Sequence, residues 1–386
     1  GLVAILNGSS NLASVTDINL ASADGQDASL TLTIGGAIEL TSLQLTGGGE
    51  IAAAADQSVT ITQAGDSTFS GTLEGADLVK AGGGILVFSG ALNHTGSTTI
   101  SGGTLVVQSD TATLGNKTVN GTGILRIEPA STSFGTDFRF DEWTFGETLR
   151  GLTVGSGTNT SAVFVNKDTT IAGSMALYGG NIVVNQLLAS TRGDIYLDAD
   201  TGNTLSRDTD GVLITGGSAD VRTYAQNLIS GASGNITILG RGGDQSSLDA
   251  PTGNSHGVYV YNGARVWAGG SGNVFISGVG GTSNSDRSST GVRISAPGSP
   301  DAAAQVISTN GDIGITGIGG APIGSKDNVG VLVRNFGRVA AGGAGRVIIH
   351  GTAGADGSSG GNRGVVIINA TGDAVANPYA RVTSEG

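Results

Sequence analysis

Along this chain apolar and polar residues alternate in short bursts instead of recurring at helical spacing. In Val258-Tyr259-Val260, Ile236-Thr237-Ile238 and Ile313-Gly314-Ile315 every second position is aliphatic, which is the period of a strand with one buried face. Gly, Asn, Asp and Ser fill the gaps and supply turns. No stretch combines apolar spacing of 3.6 residues with good helix formers, so short strands are predicted throughout.

The bursts also repeat. A GN-type string begins at Gly193 (GDIYLDA), Gly234 (GNITILG), Gly272 (GNVFISG), Gly311 (GDIGITG) and Gly345 (GRVIIHG), in steps of 41, 38, 39 and 34 residues. Between these lie GV-type strings from Gly211, Gly257, Gly291, Gly330 and Gly364. An ARV-type string follows from Ala264, Ala304, Gly337 and Ala380. Their order is kept through the last four copies, whereas strands of a β-sandwich do not recur in sequence. The predicted fold is all-β: a right-handed parallel β-helix (β-solenoid) with three strands and roughly two coils per repeat of 34–46 residues.

A fixed phase places like residues over one another. The core is therefore expected to hold Val258, Val260, Val274, Ile276, Val292, Ile294, Ile313, Ile315, Val331, Val333, Val347, Ile349, Val365 and Ile367. Polar inserts of varying length, such as 241–255 and 281–290, are expected to protrude at one corner. Three segments are expected: a solenoid over 1–130, an irregular aromatic-containing segment over 131–190, and tandem repeats over 191–386. The last repeat breaks off after Ala380-Arg381-Val382. Its open coil is expected to be completed by further polypeptide or by a second copy stacked head to tail, a homo-polymer.

Composition narrows the class. Of 386 residues 69 are Gly and none is Cys, charged residues make up 13%, and the net charge is −12. The glycines lack the three-residue period of collagen. Lys and Arg are scattered singly, which argues against nucleic-acid binding. No apolar run is long enough to span a bilayer as a helix.

Residues 73–108 carry a denser motif. Leu78-Val79-Lys80, Gly82, Gly84, Leu86 and Ser89-Gly90 lead into Thr95-Gly96, Thr98-Thr99-Ile100 and Gly103-Thr104-Leu105. This pattern resembles the passenger-associated repeat of bacterial autotransporters, with His94 where an aromatic is usual. The segment from Trp143 to Asn185, with Tyr178-Gly179-Gly180 before a strand, and the tandem repeats after Gly193 are similar to strand repeats of giant haemagglutinin-like exoproteins. These resemblances imply a parallel β-helix at the bacterial cell surface, and they carry no catalytic residue across. The function expected from them is a structural or adhesive rod or fibre. Its expected contacts are a host, neighbouring-cell or polysaccharide surface, and not nucleic acid.

The same fold can be a polysaccharide lyase or glycosidase, so carboxylates bear on the choice. Acidic residues concentrate at Asp137, Asp141, Glu142 and Glu147, and again at Asp194, Asp198, Asp200, Asp208 and Asp210. Asp198, Asp200 and Asp208, with Asn203, have the residue types of a Ca²⁺ site. The competing reading, a solvated loop of turn formers, is preferred. His94, His256 and His350 are too dispersed for zinc and read as loop or strand-end residues. Trp143, Phe138, Phe140 and Phe145 suit a sugar platform or, by preference, a plug at a break in regularity. A non-enzyme without a cofactor is the expectation.

Overall fold

A computed structural model describes residues 4–6, 17–19, 31–34, 38–41, 44–46, 50–53, 58–111, 114–199, 209–223, 234–244, 255–282, 289–320, 328–354, 362–368 and 380–385. Every strand pairing among them is parallel, and each strand lies against the equivalent strand of the next repeat. The chain is a parallel β-solenoid. It divides into two compact units, Gly1–Thr136 with Glu142–Ser156, and Asp137–Asp141 with Gly157–Gly386.

In the first unit, coils are short. Val59 pairs with Leu78, Leu78 with Thr98 and Thr98 with Val119, so a coil takes 19 to 21 residues. Period-two burial runs along these strands, and Val59, Ile61, Leu78, Leu86, Phe88, Ile100 and Leu105 are fully enclosed. Phe69 and Phe88 meet edge to face at 5.1 Å in neighbouring coils.

The second unit has three sheets, each built from one type of string. The GN sheet includes Ile236–Arg241, Val274–Val279, Ile313–Ile318 and Val347–Thr352. The GV sheet includes Val258–Tyr261, Val292–Ser295, Val331–Arg334 and Val365–Ile368. The RV sheet includes Asp220–Arg222, Arg265–Ala268, Gln305–Ser308, Arg338–Ala341 and Arg381–Ser384.

This register corrects the expected two coils per repeat. Ile236 pairs with Val274 and Val274 with Ile313, so each repeat forms a single coil. The strands take only three to six residues each. The remaining length of a repeat lies between these strands. The inserts 241–255 and 281–290 fall between a GN strand and the next GV strand, and they lie largely outside the described residues.

Of the predicted core, Val258, Val260, Val274, Ile276, Val292, Ile294, Ile313, Ile315, Val331 and Val333 are at most 1% exposed. Val347 and Ile349 are half-buried, and Val365 and Ile367 are 41% and 48% exposed. These four point to the same side as their paired neighbours. They belong to the last coil of the GN and GV sheets among the described residues, and they are flanked on one side only.

Two polar devices lock the coils together. The residue after the GN glycine forms a ladder in which the side-chain oxygen accepts the backbone N–H of the next coil. Asn235 donates to Asp194 Oδ1 (2.7 Å), Asn273 to Asn235 (2.9 Å), Asp312 to Asn273 (2.7 Å) and Arg346 to Asp312 (2.8 Å). The second device is a double row of glycines. Gly240, Gly278, Gly317 and Gly351 align in the GN sheet. A Cβ on any of them would lie within 2.2 Å of the carbonyl oxygen of Gly257, Gly291, Gly330 or Gly364, the glycine that opens the next GV strand. Here glycine permits two backbones to touch at a corner.

Candidate functional surfaces

The motif at 78–107 builds an interior. Lys80 stacks between Ile61 and Ile100 and is wholly enclosed. Its ammonium donates to the carbonyls of Ala81 (2.9 Å), Gly82 (3.2 Å) and Gly102 (3.3 Å), closing a corner across two coils. Burial lowers its pKa, partly offset by the Asp66 charge. His94 is enclosed as well, with Nε2 at 2.8 Å from Thr98 Oγ1, and desolvation holds its pKa below the ordinary value. Gly82, Gly84 and Gly103 lie so close to the backbone of the preceding coil that a Cβ on any of them would clash with it.

On the outer surface of the first unit, Ile85, Val87 and Val106 line an open groove edged by Asp66, Gln108, Arg126 and Glu128. The charged groups at its rim already have partners. Asp66 Oδ1 accepts the Ile85 N–H at 2.7 Å, and Arg126 Nε donates to Glu128 at 2.7 Å.

The acidic concentrations serve coil stacking in the same way. Asp137 accepts the Ala162 N–H (3.1 Å), Asp194 that of Asn235 and Asp210 that of His256 (2.8 Å). Glu142 pairs with Lys117. Asp198 stands on the strand Ile195–Ala199 and accepts the Tyr196 hydroxyl at 3.0 Å. Asp200 and Asp208, the other two candidate Ca²⁺ ligands, lie outside the described residues, as does Asn203. No three His, Asp or Glu side chains converge as a metal set among the described residues. In the first unit Trp143 is buried and stacks on Phe145 at 5.7 Å. In the second unit Phe138 and Phe140 are buried and meet edge to face at 5.6 Å. Trp143, Phe138 and Phe140 are therefore interior packing and no open platform for a sugar ring.

Sequence reasoning missed one polar cluster. His256 is wholly buried, although it stands outside the strands, beside the GV sheet. Its Nδ1 accepts the Thr290 N–H at 3.1 Å, and its Nε2 lies 3.2 Å from Arg293. The Tyr259 ring packs edge-on against it at 4.9 Å, beneath the Arg293 guanidinium. Tyr259 and Arg293 both reach Ser295 Oγ, at 3.2 and 3.3 Å. Only the chance of equivalent positions in successive coils brings these residues together, and no local motif marks them. His256, Tyr259 and Ser295 are buried and the half-buried Arg293 is spent on contacts with His256 and Ser295, which suits a structural clamp better than a reactive centre.

Both ring nitrogens of His256 face donors, so a second ring proton has no acceptor there. Desolvation first, and the Arg293 charge second, hold its pKa well below 6.5. Because the folded state resists a proton that the unfolded chain accepts, stability is complete above about pH 6.5 and falls as pH drops below it. The fall is at most about 1.4 kcal/mol per pH unit for each such histidine. Denaturant midpoints at about pH 7.5 and 5.5 should therefore differ for the native chain. A His256→Gln variant should keep only the part due to His94. Equal pH dependence in both proteins would exclude His256 as a source.

His350 is exposed on the strand Val347–Thr352. Compared with known families, residues 78–107 match the passenger-associated-transport-repeat model. Neither a curated protein nor a solved structure matches the chain.

Proposed function

We propose that this chain is a structural and adhesive segment of a passenger-like surface protein, carried to the outside of a bacterial cell. The observation that carries this reading is the use to which the matched repeat is put. Lys80 and the close-approach glycines at 78–107 serve to stack one coil on the next, while His94 bonds to Thr98 within its own coil. Carboxylates elsewhere are occupied in the same task. A chain that devotes its polar side chains to coil stacking is suited to reach and stiffness, and its outer faces are left for contact. Among the described residues no helix is long and apolar enough to cross a membrane.

The test is localisation followed by assay. Antibody raised against the chain should label intact cells of the producing organism, and external protease should remove the label. The purified chain should release no new reducing ends or unsaturated products from acidic or neutral polysaccharides. Antigen confined to the cell interior would overturn the surface reading. Product release would replace the structural role with that of a carbohydrate-cleaving β-helix.

A further inference from the structure

The outward positions of the RV sheet form two rows that the register alone reveals. Asp220, Arg265, Gln305, Arg338 and Arg381 stand in one row, each paired with the next. Arg222, Trp267, Ile307, Ala340 and Thr383 stand in the row beside it. Arg265, Arg338 and Arg381 are exposed. The only carboxylate in the row, Asp220, is held at 3.3 Å by Arg222 and also lies in the field of Arg265. The face is thus locally cationic on a chain of net charge −12. Alongside lie the half-buried Trp267 and Ile307 and the buried Ala340. The indole Nε1 donates to Thr309 Oγ1 at 3.1 Å, tying the ring to the next coil.

We infer that the RV face binds a linear acidic polysaccharide lying along the stacking direction of the coils. Neighbouring strands are about 4.8 Å apart, so the guanidinium attachment points recur at about 5 and 10 Å in single file. Such a row matches a polymer that presents carboxylates or sulfates at regular intervals on one side. Guanidinium pairs with these anions through two parallel hydrogen bonds. The Trp267–Ile307 strip offers an apolar surface to the faces of the sugar rings. Duplex nucleic acid fits less well. Its two dense lines of phosphate would meet a single file of cations on an otherwise acidic chain. This inference extends the surface reading by naming the class of partner, and it is testable on purified protein whatever the cellular location.

The full chain would be passed over immobilised alginate, dextran and single-stranded DNA at low salt. Alginate should retain it, dextran should not, and retention should fall as salt screens the exposed charges. An Arg265→Gln/Arg338→Gln/Arg381→Gln variant should bind alginate about tenfold more weakly, as expected from the loss of three exposed charge pairs. The Arg338→Gln/Arg381→Gln pair, which leaves Asp220 with both its cations, should lose part of that. Trp267→Ala should weaken binding at fixed charge, and Arg150→Gln, in the first unit, should not. Equal circular dichroism of the variants would confirm that the fold is kept. Undiminished alginate binding by the folded triple variant would overturn the proposal while leaving the surface reading intact. Tighter retention on DNA than on alginate would overturn it in favour of a nucleic-acid partner.

Discussion

Placing one methyl group at position 317 should collapse the tandem repeats. A Cβ on Gly317 would sit 2.1 Å from the Gly330 carbonyl oxygen and 2.6 Å from its carbon. Both are backbone atoms, so no side-chain rotation relieves the clash. Gly317 is paired with Gly278 on one side and Gly351 on the other, so any shift of its strand disturbs both neighbouring pairings. Overpacking a tight interior ordinarily costs about 1–3 kcal/mol, and a clash between two backbones should cost Gly317→Ala at least about 3 kcal/mol. Gly217→Ala is the matched control. Its Cβ meets nothing within 4 Å, and its φ is not in the left-handed region. That exchange should be neutral, or stabilising by a few tenths of a kcal/mol through reduced unfolded-state entropy. Denaturant unfolding followed by circular dichroism separates the two. A Gly317→Ala variant as stable as the control would show that the corner can open without loss.

Lys80→Ala should destabilise the matched repeat by about 3 kcal/mol. The substitution deletes an apolar stem lodged between Ile61 and Ile100 and strips donors from three carbonyls. Lys80→Met restores the stem without the donors, and should recover about a third of the loss. If both variants unfold at the native midpoint, the ammonium is dispensable for closing the corner. If only Lys80→Met matches the native chain, packing alone accounts for the residue. The prediction also separates two uses of a basic residue. A surface lysine would affect binding and leave stability alone, whereas Lys80 should do the reverse.

Much of this architecture was legible in the residues themselves. The alternation at Val258, Val260, Ile313 and Ile315 marks a buried face, and the observed strands carry it at those positions. The three string types became three separate sheets, because a strand's period and its flanking turn residues are local properties. The candidate chemistry was legible only in part. The acidic concentrations were visible, but their use as clips between coils was not, since Asp210 and His256 are 46 residues apart. His256 carries no mark of burial in its own neighbourhood. It is the Thr290 N–H and Arg293, 34 and 37 residues onward, that surround it.

The residues alone specify the unit: short strands, their buried phase, their order and the recurrence that makes a solenoid of them. How those units close on one another is settled by tertiary contacts. One coil per repeat, the enclosure of Lys80 and the file of Arg265, Arg338 and Arg381 follow from register between distant strands, and the Gly317–Gly330 corner from how one strand meets the next within a coil. The physical reason is that side-chain alternation repeats every two residues along a strand and says nothing about which strand lies beside it. That choice is made by hydrogen bonds and backbone contacts between residues 19 to 46 positions apart, such as Ile85 with Asp66 and His256 with Asp210. Glycine appears the same in the sequence whether it turns a chain or lets two chains touch.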